Sequence, residues 1–169
     1  MGRVQGKMAF ITGGAQGLGE AIGKMLAKEG AKVTLTDVNG AGAEKVAAEI
    51  NAAHGAGTAF AFQHDVTDEA QWQEVLKAAH AAMGGLNVLV NNAGIGSLGI
   101  VEDETYDMFK KVQTVDVDSI FLGCKYAIPL MRDHGLGSIV NISSIAGIIA
   151  SGNYVAYNTA KAAVRHLIA

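Results

Sequence analysis

Cysteine and proline each occur once in the 169 residues, as Cys124 and Pro129. A lone thiol excludes an internal disulfide and any cysteine-based metal cluster, and it makes a reducing, cytoplasmic setting the expectation. The histidines, His54, His64, His80, His134 and His166, lack the mutual spacing of a metal site, so no metal is expected and surface or capping roles are. No apolar run is long enough to span a bilayer, so no membrane partner is expected. Basic runs are missing too, and the net charge is −3, which argues against nucleic acid as a partner. Position 6 is glycine, so Gly2 does not open a myristoylation motif. The first seven residues lead straight into a strand-like segment, and no cleavable signal peptide is expected.

What is present in excess is glycine, at 22 residues against an average share of about 7%. With so little proline and no low-complexity tract, that excess points to tight turns and close backbone approaches rather than disorder. Half of the residues are hydrophobic, and mean hydropathy is +0.24. Residues 1–169 suit one domain with a real core.

Apolar runs alternate with helical patterns along the chain. Strands are expected at Met8–Thr12, Lys32–Thr36 (ending at Asp37), Thr58–His64, Leu86–Val90 and Ser138–Ile142. Between them come helices over Leu18–Glu29 and Gly42–Ala53, then one capped by Thr67 and running to Met83. A long helical stretch from Thr105 to about His134 should be kinked or interrupted by Pro129. A final helix carries Tyr157 and Lys161. The strands lack clean polar alternation, as they should when helices cover both faces of a sheet. Repeated strand–helix order with right-handed crossovers gives an α/β fold with a doubly wound parallel sheet. Ligands in such folds bind beyond the carboxyl ends of the strands. Gly13, Asp37, Asp65, Asn91 and Ser144 all fall there.

The segment Thr12-Gly13-Gly14-Ala15-Gln16-Gly17-Leu18-Gly19 joins the first strand to the first helix. Gly13, Gly17 and Gly19 allow a tight turn, close approach to a pyrophosphate and close helix–sheet packing, and the helix N-terminus offers free N–H groups to phosphates. The competing reading is a glycine-rich connection without a ligand. Asp37 can accept both ribose hydroxyls of an adenosine and repel a 2′-phosphate. Neither Gln16 nor Val38 is basic, so NAD is favoured over NADP. Asp65 can meet an adenine amino group while Val66 packs on the ring; an aspartate that only starts a helix is the bland alternative. Asn91 and Asn92 can bind backbone carbonyls and fix a strand end, which leaves Ala93-Gly94 small enough for a cofactor to pass.

Tyr157 and Lys161 lie one helical turn apart, with Ser144 thirteen residues before the tyrosine. A phenol needs help to act as acid or base near neutral pH, and a lysine on the same helix face supplies charge that favours the phenolate. A serine hydroxyl can hold a carbonyl or alcohol oxygen beside it. Taken alone, the pair is more often an exposed aromatic and a solvated lysine. Ile95, Ile148 and Tyr154 follow strand ends near this chemistry and suit an apolar substrate, with plain loop packing as the alternative.

Together, Thr12–Gly19, Asp37, Asp65, Asn91–Gly94, Ser144 and Tyr157-Asn158-Thr159-Ala160-Lys161 resemble the short-chain dehydrogenase/reductase family. The resemblance implies a Rossmann-type fold and hydride transfer between a nicotinamide and an alcohol or ketone. It makes Tyr157 the acid/base and Ser144 the residue that orients the substrate oxygen, with Lys161 on the nicotinamide ribose assisting the phenol. It further implies a homo-oligomer, a dimer or tetramer, built through Asp107–Met131 and Tyr157–Ala169. An apolar secondary alcohol, alicyclic or steroid-like, is the expected substrate. Two alternatives stay open: an NADPH-dependent 3-ketoacyl thioester reductase, and a non-catalytic dinucleotide-binding module.

The chain departs from the family pattern in two places. Where the family often has an asparagine that supports a proton relay to the lysine, this chain has Asp116. An ionised carboxylate cannot donate as an amide does; pairing with Lys161, and altered tuning of the tyrosine, are the expected consequences. The second departure is length. Family members continue past Ala169 with a sixth strand and a loop over the substrate, so the chain is expected to be the cofactor half plus the catalytic residues. Its fifth strand would then be an open edge.

Overall fold

The computed structural model describes residues 2–135 and 137–167. Five parallel strands form one sheet: β1 (Met8–Thr12), β2 (Lys32–Asp37), β3 (Ala59–Gln63), β4 (Val88–Asn91) and β5 (Ser138–Asn141), in the spatial order β3-β2-β1-β4-β5. The register sets Ile11 opposite Leu35 on one side and Val90 on the other. Because successive side chains on a strand point to opposite faces, Phe10 and Leu89 enter one core while Ala9, Ile11 and Val90 enter another. The α/β, doubly wound Rossmann-type fold expected from the sequence is the one observed.

The second of these cores lies under α1 (Gly17–Lys28) and α2 (Gly40–His54), and the first lies under α3 (Glu69–Met83) and α5 (Ser119–Arg132). Trp72 anchors the α3 side. It is fully buried, and its indole N–H donates to the Val66 carbonyl at 2.8 Å, so the large ring is enclosed without an unmet donor. Truncation to alanine at such a position costs about 3–5 kcal/mol. A smaller cluster of Val112, Ala156 and Ala160 joins α4 (Tyr106–Gln113) to α6 (Val155–His166). Alanines on α6 let it approach α4 closely.

Two expectations about local structure are corrected. The cap of α3 is Asp68, whose Oδ1 accepts from the N–H groups of Ala70 and Gln71 at 2.8 and 3.2 Å; Thr67 instead donates to Asp65. A carboxylate oxygen can accept two orphan donors at once, and here it wins the position. Pro129 does not interrupt the long helical stretch, since it lies in the last turn of an unbroken α5. The break falls earlier, at a π-helical turn over Thr114–Asp118. Its wider ring re-phases the side chains between α4 and α5, and Asp116 is its buried member.

No helix among the described residues is long and apolar enough to cross a membrane. Among the described residues β5 is hydrogen-bonded to β4 alone, and its Val140 is exposed.

Candidate active site

Strand order reverses between β1 and β4, because β1 connects outward through β2 and β3 while β4 leads to β5. A crevice of about 820 Å³ opens at the carboxyl ends there, lined by Gly13, Gly17, Asp37, Val38, Asp65, Val66 and Asn92 to Ile95, among others. Gly13 and Gly17 have φ of +66° and +60°, values that a side chain rarely tolerates. A Cβ on Gly19 would lie 2.0 Å from the Gly13 carbonyl oxygen. The turn therefore presents bare backbone to the crevice. Gln16 is the extended N-cap of α1 and makes no side-chain cap bond, so the first N–H groups of that helix are left for a ligand.

The acidic strand end is held by the backbone. Asp37 Oδ2 accepts from Ala15 N–H at 3.1 Å and Oδ1 from Asn39 N–H at 3.0 Å, which orients the carboxylate beside the glycine turn. Val38 is 62% exposed at the rim. Asp65 commits one oxygen to the N–H and hydroxyl of Thr67, and Val66 is buried beneath it. The Asn92 amide donates to the Thr12 and Gly13 carbonyls at 2.8 and 3.1 Å, while Thr12 Oγ1 accepts from the N–H groups of Asn92 and Ala93. These bonds tie β4 to the glycine turn. Asn91 does something else: its amide donates to Asn141 Oδ1 and contacts Cys124 Sγ, inside the core.

A second crevice adjoins the first and is lined by Leu18, Gly94, Ile95, Asp116, Tyr154, Tyr157 and Lys161, among others. The Lys161 side chain is 5% exposed and its Nζ lies 5.5 Å from the centre of the Tyr157 ring. That ammonium donates to the Ile142 carbonyl at 3.0 Å and stands 3.0 Å from Asp116 Oδ2, an ion-pair contact rather than an aligned hydrogen bond. Asp116 Oδ1 accepts from Ile95 N–H at 2.7 Å. A phenol, an enclosed cation and a carboxylate thus share one small space, an arrangement that can move a proton at the phenol oxygen.

Of the residues expected to touch substrate, Ile95 and Tyr154 line this crevice with Tyr157. Ser144 sits just past β5, where its Oγ accepts from Ala146 N–H at 3.1 Å and caps a short 3₁₀ turn over Ile145–Gly147. Ile148 ends that turn and is 62% exposed. The neighbouring Ser143 donates to the Lys161 carbonyl at 2.9 Å and ties α6 to the end of β5.

Sequence reasoning passed over three features. His64 is not a surface residue: it is buried, stacks edge-on against Trp72, and has Nδ1 3.2 Å from Thr36 Oγ1. Burial pushes its imidazole down to about 4, against a smaller opposing pull from Asp65 and Asp68. Lys111 on α4 lines the first crevice together with Thr114 and Val115, a spacing of i, i+3, i+4 that could have singled it out. His80 and His134 lie far apart in sequence, yet their Nε2 atoms meet at 3.0 Å.

The geometry defines a Rossmann-type α/β fold with two adjoining crevices at the carboxyl ends of its strands, and the comparisons agree on the fold. The sequence profile of the family described as short chain dehydrogenase matches residues 7–169. This chain belongs to that family. It is 47% identical over 163 residues to a 2,5-dichloro-2,5-cyclohexadiene-1,4-diol dehydrogenase of Sphingobium indicum, covering 96% of this chain and 64% of the relative. To a 3-beta-hydroxysteroid dehydrogenase of Comamonas testosteroni it is 41% identical over 165 residues, covering 98% and 63%. The solved structure of a short chain dehydrogenase/reductase from Burkholderia phymatum in complex with NAD superposes with a TM-score of 0.92 at 31% identity, covering 99% of this chain and 59% of that one. The chain thus spans less than two thirds of the length of these relatives.

Proposed function

We propose that this protein is an NAD-dependent oxidoreductase of secondary alcohols and ketones, with residues 1–169 forming one dinucleotide-binding unit that also carries the acid/base residues. The observation that carries the reading is the enclosed Lys161 ammonium, 5.5 Å from the Tyr157 ring in a crevice continuous with the glycine turn. A nicotinamide dinucleotide fits the residues present: the turn packs too closely for side chains at Gly13 and Gly19 and leaves open space at Gly17, and the Asp37 carboxylate is fixed beside it. When bound, the nicotinamide supplies the hydride acceptor.

The chain's own residues do the rest. Gly13 to Gly19 and the start of α1 receive the pyrophosphate, with Gln16 and Leu18 along the path. Asp37 accepts the adenosine ribose hydroxyls, Val38 and Val66 flank the adenine, and Asp65 accepts from its amino group. Asn92, Ala93 and Gly94 form the floor towards the nicotinamide. Tyr157 takes the hydroxyl proton of the alcohol, and Lys161 binds the second ribose and favours the phenolate. Ser144 orients the substrate oxygen. Ile95, Ile148 and Tyr154 make an apolar wall suited to an alicyclic or steroid-like substrate, in keeping with the cyclic alcohols named for the two relatives. Assembly through Asp107–Met131, where Phe121 and Ile128 are exposed, and through Tyr157–Ala169, whose last two positions lie outside the described residues, makes a homo-oligomer, and the setting is cytoplasmic.

The test follows NAD reduction across a panel of cyclic secondary alcohols. Tyr157→Phe is expected to lower turnover about 10²- to 10⁴-fold while NAD affinity, read by calorimetry, stays within a few-fold. Turnover that survives the substitution overturns the role of the phenol. For the cofactor, wild type should prefer NADH to NADPH in ketone reduction, and Asp37→Ser should erode that preference. A wild type that prefers NADPH sinks the NAD assignment.

A further inference from the structure

Asp116 is fully buried and stands where the family often carries an amide. Its position depends on the π-helical turn: the turn frees backbone carbonyls, and Ser119 Oγ donates back to one of them, on Val115. One carboxylate oxygen is used by Ile95 N–H; the other faces the Lys161 ammonium. Space for the pair depends on Gly94, where a Cβ would lie 3.0 Å from Asp116 Oδ2 and 3.3 Å from Lys161 Nζ. The lysine is therefore gripped from two sides, by the Ile142 carbonyl and by a full negative charge.

A cation next to a phenol favours the phenolate, but a carboxylate in contact with that cation turns a charge into a dipole, whose field falls off faster. Among the described residues lining this crevice, the titratable groups are Asp116 from the π-helical turn and Tyr154, Tyr157 and Lys161 from α6 and its cap. The loop after β4, the start of α1 and the end of β5 contribute Asn92, Gly94, Leu18 and Ile142, all uncharged. On α4, Lys111 lines the adjoining crevice instead. Within this lining nothing else offsets the carboxylate.

We propose that Asp116 is a positioning residue that fixes Lys161 by charge and weakens its pull on the Tyr157 proton, so that alcohol oxidation begins at higher pH than an amide at position 116 would allow. The inference rests on the acid/base role given to Tyr157 above. Asp116→Asn keeps the volume and an acceptor for Ile95 N–H, and removes the charge.

Two readouts test it on the full chain. In the cofactor-free protein, the tyrosinate absorbance of Tyr157, isolated by difference against Tyr157→Phe, should appear at lower pH in Asp116→Asn than in wild type. In the pH profile of kcat for alcohol oxidation, the acid limb should move down equally, with the plateau within a few-fold. An unmoved midpoint in both overturns the proposal. Where Asp116→Asn alone does not fold, thermal melts of Lys161→Met and of Asp116→Asn/Lys161→Met decide. The double variant should melt higher, because the single one leaves a buried carboxylate unpaired, and equal melting overturns the pair. The two claims fail separately. Full turnover in Tyr157→Phe with a shifted tyrosinate signal removes the dehydrogenase role but keeps the coupling; a dead Tyr157→Phe with an unmoved midpoint does the reverse.

Discussion

The two adjoining crevices are put together in different ways. Around Gly13, Asp37 and Asp65, each residue sits at or just past the end of its own strand, and its side chain or backbone is fixed by partners nearby in sequence or by the neighbouring strand end: Asp37 by Ala15 and Asn39, Asp65 by Thr67. Around Tyr157, the ammonium of Lys161 meets a carbonyl from the end of β5 and a carboxylate from a distorted helical turn. The first crevice is local geometry repeated at successive strand ends. The second exists only once α6 has docked on α4 and the π-helical turn. Damage to a single residue should accordingly be absorbed by the first and should spread in the second.

The largest expected effect tests that contrast directly. Asp116→Ala leaves the enclosed Lys161 ammonium without its counter-charge and should cost about 3–5 kcal/mol in denaturant unfolding. A loss below about 1 kcal/mol, the level of an exposed pair, would mean that the second crevice is no more interdependent than the first.

The next effect sits under the first crevice. Burial holds the His64 imidazole down to about 4 from its ordinary 6.5. Between those values the unfolded chain binds a proton that the folded chain refuses, so stability falls as pH drops through 6.5 and levels off below about 4. The shift corresponds to about 3 kcal/mol across that window. Unfolding measured at pH values on either side should show the loss, and His64→Gln should remove most of that pH dependence even though it alters baseline stability. A wild-type profile flat over the window would show that water reaches this ring.

The smallest effect marks local construction. Asn39 caps α2 by accepting from Gly42 N–H at 3.0 Å, and its own N–H holds Asp37. Asn39→Ala should lower stability by about 1 kcal/mol and weaken dinucleotide binding slightly, with the ionisation of Tyr157 unchanged. A changed tyrosine titration in that variant would link the crevices more tightly than their separate partners suggest.

What could be read from the sequence follows the same division. The five strands, the glycine turn and Asp37 were legible because each depends on periodicity or on a residue type required at a strand end. The third helix was legible in extent, but not in its cap, since Thr67, Asp68 and Glu69 all carry plausible first-turn chemistry and only the folded turn decides which oxygen reaches two N–H groups. The π-helical turn left no trace that composition could reveal. Pro129 drew attention to the wrong end of the helix, because a proline in a last turn removes one bond and need not bend what precedes it. His64 was misjudged because nothing in its neighbours announces burial against Trp72.

The order of strands and helices, the glycine-rich turn and the pairing of a phenol with an amine one helical turn later were determined by the sequence, since each is a property of a few consecutive residues. Tertiary structure alone decided that a π-helical turn carries Asp116, that Asn91 turns inward while Asn92 ties two strand ends, and that His64 is enclosed. Those outcomes depend on where distant segments come to rest, and short-range pattern carries no record of that.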